Sequence, residues 1–328
     1  MHPSLNPHLL DDSVERIPTR NGYGDALVEL GAKNTRVVVL TGDLAESTRA
    51  HLFQASYPER FVECGVAEQN MMGVAAGLAL AGKIPFVSSY AVFVPGRCWD
   101  QLRVSVCYAN ANVKVAGAHA GISVGPDGAT HQALEDMAIT RVLPNLTVVV
   151  PCDYEETRKT TIAVARIVGP CYFRFAREKT PVITSRSTPF RIGRTDVFRE
   201  GTDVTIAACG PLVYDALIAA EHLATRGVSA EVLNCHTLKP FDEKTLVASV
   251  QKTGCCVTVE EHQIIGGLYG VVAETLARTA PVPIEAVGMP VSFGESGEPE
   301  ELLQKYGMTS KQIEQRVRKV MKRNLSQT

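Results

Sequence analysis

The sequence has no apolar run approaching the roughly 18 residues that a membrane-crossing helix needs, so a spanning chain is not expected. It has no excess of one charge. Thirty-three Lys and Arg face 35 Asp and Glu, for a net charge of −2. That excludes the electrostatic footprint of a nucleic-acid or membrane-surface binder. No CxxC spacing occurs among the nine cysteines, where Cys255 and Cys256 are merely adjacent, and this argues against structural zinc. The first 16 residues are polar and lack the apolar stretch of a secretion signal. With no such signal, an odd cysteine count reads as reduced thiols, and a cytoplasmic protein is expected. Low-complexity segments and short-period repeats are also missing.

What is present is enough chain for two cores. At roughly 150 residues per domain, 328 residues predict two domains. Apolar residues at 45% and charged residues at 21% place the chain among globular proteins. Short β-branched runs at 36–40, 84–88, 113–118 and 146–150 read as continuous apolar strands buried on both faces of a parallel sheet. Helical patterns at 22–32, 67–81, 98–109, 132–143 and 154–168 separate them. The predicted class is α/β, with a doubly wound parallel-sheet domain over 17–180 after an N-terminal extension, 1–16. Residues 181–199, with Pro181, Pro189 and the arginines Arg186, Arg191, Arg194 and Arg199, read as a linker. A smaller α/β domain follows over 200–328, with strands at 204–208, 230–234, 255–260 and 283–287. Its helices are expected at 213–226, 243–251, 268–277 and then to the chain end.

Residues 65–80, GVAEQNMMGVAAGLAL, are almost all small or apolar, as in a helix packed closely against other backbones. Glu68 falls in the first turn, where the helix dipole favours a carboxylate and burial without a partner is costly. Such a residue is commonly a cap or a salt-bridge partner; the alternative is a buried general acid. Residues 88–100, SSYAVFVPGRCWD, supply Tyr90, Phe93 and Trp99, either core aromatics or a stacking face for a flat ring. Residues 118–132, AHAGISVGPDGATHQ, carry His119, Asp127 and His131 on a loop rich in glycine. Three polar groups on one loop just after a buried strand belong where open α/β sheets bind ligands.

Together these segments resemble the pyrimidine-binding half of the thiamine-diphosphate enzymes, specifically the transketolases. GVAEQNM resembles the helix start bearing that family's catalytic glutamate, and GPDGATHQ its G-x-D-G-x-T-H-Q loop. The likeness continues through LPNLTVVVPCDYEET and YFRFAREKTP. VTVEEHQIIGGLYG, at 257–270, resembles the family's C-terminal domain, and coverage runs from about 15 to 325. The G-D-G…N metal motif of a full transketolase is missing. The resemblance therefore implies the C-terminal subunit of a split transketolase, whose partner supplies the diphosphate site and Mg²⁺ (or Ca²⁺), with no metal ligand on this chain.

The resemblance assigns residues as follows. Glu68 would hydrogen-bond N1′ of the aminopyrimidine, with Phe93 stacked on the ring and Tyr90 as a second wall. Gly96 stands where many transketolases have a third aromatic, leaving that side open; Arg97 is assigned no role, and Trp99 is read as packing. His119 would contact the donor's reacting hydroxyls and Asp127 the C2 hydroxyl. His131, Arg177, Arg20 and Ser47 would hold the terminal phosphate, a task suited to arginine's planar fork. Asp43 would lie near the cofactor of the adjoining active site. Glu260, Glu261 and His262 read as structural or as an interface element.

The implied assembly is 2+2 with an N-terminal pyrophosphate-binding subunit, these chains also meeting each other through both domains. Sugar phosphates are the implied substrates. Two related families share parts of the pattern. 1-Deoxyxylulose-5-phosphate synthases carry D-R-A-G where this chain has A-H-A-G around His119. The β subunits of 2-oxoacid dehydrogenases usually lack the T-H-Q loop. A non-catalytic partner-binding subunit is the reading outside enzymes; the retained Glu68, Phe93, His119 and Asp127 argue against it.

Overall fold

The computed structural model describes residues 1–11 and 13–325. Its strands are β1 (Arg16–Pro18), β2 (Val37–Thr41), β3 (Phe61–Glu63), β4 (Ile84–Tyr90), β5 (Lys114–Ala118), β6 (Thr147–Val149) and β7 (Cys171–Phe175). They continue with β8 (Lys179–Pro181), β9 (Asp196–Arg199), β10 (Val204–Ala208), β11 (Ala230–Asn234), β12 (Thr237–Lys239), β13 (Cys256–Gln263) and β14 (Ile284–Met289).

A seven-stranded sheet has the order β12-β6-β7-β5-β4-β2-β3. Strands β2 to β7 run parallel, and β12 is antiparallel at the edge. Every residue of β2, β5 and β7 is buried, Lys114 and Arg174 included, as strands covered by helices on both faces require. The second sheet, β14-β13-β10-β11-β9, is parallel except for β9. The chain is thus a two-domain α/β protein whose first domain is a doubly wound parallel sheet.

Several elements differ from the expected ones. Strand β7 alternates aromatics with Arg174 and was not predicted; the arginine is tolerated inside because Asp136 accepts from it at 2.9 Å, where Tyr172 also donates at 2.6 Å. The helix expected over 132–143 is confined to Asp136–Arg141, since the preceding loop is still tied by the Ala120–Ala133 bridge. The helix over 154–168 ends at Val164. The segment read as a linker is structured at both ends. Strand β8 pairs with β1, and β9 joins the second sheet beside β11. The C-terminal helix is two helices, Pro299–Lys305 and Ser310–Leu325, and residues 326–328 lie outside the described residues.

The domains are joined by buried polar contacts. Strand β12 leaves the second domain to extend the first sheet. Glu260 accepts from the Leu268 and Tyr269 amides at 2.6 and 2.8 Å, capping the Leu268–Thr279 helix, and burial pushes its carboxyl up to about 7. Glu261 crosses to accept from the Ser123 amide at 2.6 Å, and His262 Nε2 accepts from the Ala138 amide at 3.4 Å. Gly121, with φ +89°, allows this crossing, because a Cβ there would lie 2.2 Å from Glu261 Oε1. All nine cysteines are free, eight of them buried. Among the described residues no helix is long and apolar enough to cross a membrane.

Candidate active site

Five segments leave the carboxyl ends of parallel strands at one edge of the seven-stranded sheet. They are 42–47 after β2, 64–68 after β3, 91–97 after β4, 119–131 after β5 and 176–178 after β7. This edge is the ligand crevice of open α/β sheets.

Glu68 opens the helix Glu68–Leu80 and is 3% exposed. Its Oε1 accepts from Ser89 Oγ, near the end of β4, at 3.3 Å. Arg97 Nη1 reaches Oε1 and Oε2 at 3.4 and 3.3 Å. The same guanidinium lies 3.9 Å from the centroid of Phe93. Phe93 stacks on Tyr90 with centroids 5.8 Å apart, and His131 meets Phe93 edge-on at 5.4 Å. A buried carboxylate therefore faces an aromatic wall, with a guanidinium between them.

His119 follows β5 with φ +55°, a left-handed conformation that costs a non-glycine residue energy and clusters at functional sites. Its ring stacks on Tyr90 at 4.3 Å. Nε2 lies 3.2 Å from the Ser47 carbonyl and 3.4 Å from Arg20 Nη1. Burial first, then the Arg20 charge, pushes this imidazole down to about 3, so it is neutral at physiological pH. Its Nδ1 is buried without a hydrogen-bond partner, as is Arg20 Nε. Ser47 takes part through its carbonyl, which also accepts from Arg20 Nη1 at 3.0 Å. Burial and the charges of Arg49 and Arg177 lower the Arg20 pKa.

Arg177 Nη1 donates to Asp127 Oδ1 and to the Val124 carbonyl, both at 3.2 Å. Asp127 and Arg177 thus form a half-exposed ion pair at the rim. Asp43, also left-handed at φ +60°, donates its amide to Glu63 Oε1 at 2.8 Å. It faces a separate shallow cavity of about 450 Å³ with Glu46, Ser47, His51 and Glu63. The structure therefore gathers Glu68, Tyr90, Phe93, His119, His131, Arg20 and Ser47, sets Asp127 and Arg177 together beside them, and turns Asp43 outward.

Ser89 and the contacts of Arg97 escaped the sequence reading. Ser89 had a signal, a polar pair at the carboxyl end of an apolar strand; Arg97 had none beyond its nearness to Phe93. Among the described residues, one group brings metal-ligating types together: Glu156, Asp196 and His236, within 4.8 Å. It lies at the domain junction, where Glu156 is hydrogen-bonded to its neighbours but His236 Nε2 and Asp196 Oδ2, though close, are buried without a hydrogen-bond partner. His236 Nε2 is 3.3 Å from Asp196 Oδ2, and Glu156 accepts from Asn234 and from the Cys152 amide, both at 2.7 Å.

Residues 15–182 match the family profile of the transketolase pyrimidine binding domain, and residues 193–313 that of the transketolase C-terminal domain. The chain belongs to the transketolase family. It is 44% identical to a putative transketolase C-terminal section of Methanocaldococcus jannaschii, covering 93% of this chain and 96% of that one. It is 43% identical to the 6-deoxy-6-sulfo-D-fructose transketolase subunit SqwH of a Clostridium species, covering 93% and 94%. A solved structure described as a split gene transketolase, inactive beta4 tetramer, superposes with TM-score 0.86 at 46% identity, covering 93% of this chain and 98% of that one. These relatives share the extent of this chain, and they identify it as a split transketolase-type subunit. Transketolase-like protein 2 of Mus musculus, 38% identical over 91% of this chain, has it as 48% of its length.

Proposed function

We propose that this chain is the pyrimidine-holding subunit of a two-chain transketolase moving a two-carbon ketol unit between sugar phosphates. The observation that carries this reading is the buried carboxylate of Glu68 opposite the Phe93–Tyr90 wall, beside a neutral His119 with an unpartnered Nδ1. This set fits an aminopyrimidine and a polyhydroxylated substrate. Thiamine diphosphate, when bound, would supply the nucleophilic carbon and the electron sink that ketol transfer needs.

The chain's own residues bind, orient and move protons. Glu68 holds N1′ of the aminopyrimidine through a shared proton, in a site dry enough to strengthen that bond. Phe93 and Tyr90 fix the plane of the ring. His119, neutral and fixed by its stack on Tyr90, exchanges a proton with the donor's hydroxyls through Nδ1. Asp127 reads a hydroxyl, and Arg177, Arg20, His131 and Ser47 close on the distal anion. The diphosphate and its Mg²⁺ or Ca²⁺ fall to a companion chain, in a 2+2 assembly. Support for a companion comes from relatives described as a subunit and as a C-terminal section. It also comes from the face of the Glu68 helix, which leaves Gly73 and Gly77 open and Val74 and Leu80 exposed.

The test mixes this chain with a G-D-G…N companion subunit, thiamine diphosphate and Mg²⁺. Ketol transfer from xylulose 5-phosphate to ribose 5-phosphate is expected, and Glu68→Ala should lower it by roughly 10²-fold or more with the fold intact. Turnover of pyruvate with glyceraldehyde 3-phosphate instead would move the chain to the deoxyxylulose phosphate synthases. Near-normal transfer by Glu68→Ala would overturn the assignment of the glutamate.

A further inference from the structure

The Arg97 guanidinium makes, at one time, the two contacts assigned above to an aminopyrimidine. It donates to both Glu68 oxygens, at 3.4 and 3.3 Å, and its central carbon stands 3.9 Å from the centroid of the Phe93 ring. A ring stacked on Phe93 needs its own centroid at about 4.5 Å or more from that ring, in the volume the guanidinium fills. Tyr90 and His131 crowd the same ring at 5.8 and 5.4 Å. A guanidinium is planar, cationic and a donor only. It can therefore imitate the shape and the hydrogen bond of an aminopyrimidine, but while bonded to Glu68 it leaves that carboxylate acting only as an acceptor.

The neighbourhood explains why this side chain holds the position. Residue 96, where many transketolases have a third aromatic, is glycine, and a Cβ there would lie 2.8 Å from the Val92 carbonyl. No side chain closes the pocket from that position, and Arg97 covers the opening instead. Its side chain is 49% exposed, so it has solvent to move into.

We propose that Arg97 is a placeholder for the aminopyrimidine, occupying the seat between Glu68 and Phe93 until the heterocycle displaces it. The proposal rests on the reading of Glu68 and Phe93 as that seat. Apparent affinity is then reduced by the fraction of molecules whose seat is open, and the placeholder keeps a buried carboxylate paired until the cofactor arrives.

The experiment measures cofactor binding, not turnover. Thiamine diphosphate with Mg²⁺ is titrated calorimetrically into the assembled two-chain complex, wild type and Arg97→Ala, with inorganic pyrophosphate as the ligand that lacks a pyrimidine. Arg97→Ala is expected to lower the Kd for thiamine diphosphate by roughly three- to tenfold, as for an exposed cation–π and hydrogen-bonded contact, and to leave pyrophosphate affinity unchanged. Arg97→Gln, which keeps the bulk and loses the charge, is expected to fall between and guards against a folding defect in the alanine variant. Unchanged or weaker cofactor binding in both variants overturns the proposal and makes Arg97 a wall of the seat. An equal gain for pyrophosphate overturns it too. If Phe93→Ala does not change thiamine diphosphate affinity in the wild-type background, the seat itself has been misassigned, a failure distinct from that of Arg97.

Discussion

His119 lies against Tyr90, ring centroids 4.3 Å apart and planes 28° from parallel, on a left-handed backbone at φ +55°. The stack and the backbone fix the imidazole before any substrate is present. The Ser47 carbonyl and Arg20 take its Nε2, and Nδ1 is left over. Under the proposed function, a ring held in this way would serve a donor hydroxyl without further reorganisation.

Its protonation carries a stability signature. Burial, then Arg20, lowers the His119 pKa from 6.5 to about 3. Between those values the unfolded chain binds a proton that the folded chain does not. The His119 contribution to stability is therefore fully present above pH 6.5 and is lost as pH falls toward 3. His119→Gln should make stability less steeply dependent on pH across that window. Urea midpoints of both proteins at pH 7.5, 6 and 5 check it; parallel curves would show that the histidine is not neutral and buried in solution.

Two arginines, Arg174 and Arg177, should separate stability from binding. Arg174 is buried against Asp136 at 2.9 Å and donates to the Glu261 carbonyl at 3.0 Å, across the domain boundary. Arg174→Ala strands a buried carboxylate and is expected to cost about 3–5 kcal/mol in urea unfolding. Arg177 forms a half-exposed pair with Asp127, so Arg177→Ala should cost less than about 1 kcal/mol. In the assembled enzyme, however, Arg177→Ala is expected to raise KM for a phosphorylated donor by roughly tenfold or more, with kcat less affected. A donor without phosphate should show no such change.

The fold was legible where burial on both faces leaves a mostly apolar run, as in β2, β4 and β5. It was not legible where a distant partner decides. Strand β7 admits Arg174 only because Asp136 waits inside, and β12 is a three-residue strand whose partner β6 belongs to the other domain. The same distinction runs through the site. Glu68, Phe93 and His119 could be placed together because the motifs that carry them resemble those of the transketolases, whereas β3, the strand before Glu68, was not expected. That Arg97 lies on Phe93 and that Asp127 pairs with Arg177 depends on side-chain reach across loops, which residue type and spacing do not encode.

Gly121 offers the sharpest test of how the domains hold the site loop in place. The residue follows His119 by two positions, has φ +89°, and gives Glu261 the room to reach the Ser123 amide at 2.6 Å. Gly121→Ala places a methyl 2.2 Å from Glu261 Oε1 in a backbone region that disfavours any side chain. Strain and overpacking together are expected to cost about 3 kcal/mol, read as a lower urea midpoint at unchanged m value. Glu261→Ala alone also destabilises, by removing the bond to Ser123. In the double variant the clash is gone but the left-handed strain remains, so its loss should be smaller than the sum of the two single losses. Full additivity would mean that Gly121 is required only for its backbone conformation and that the glutamate does not press on it.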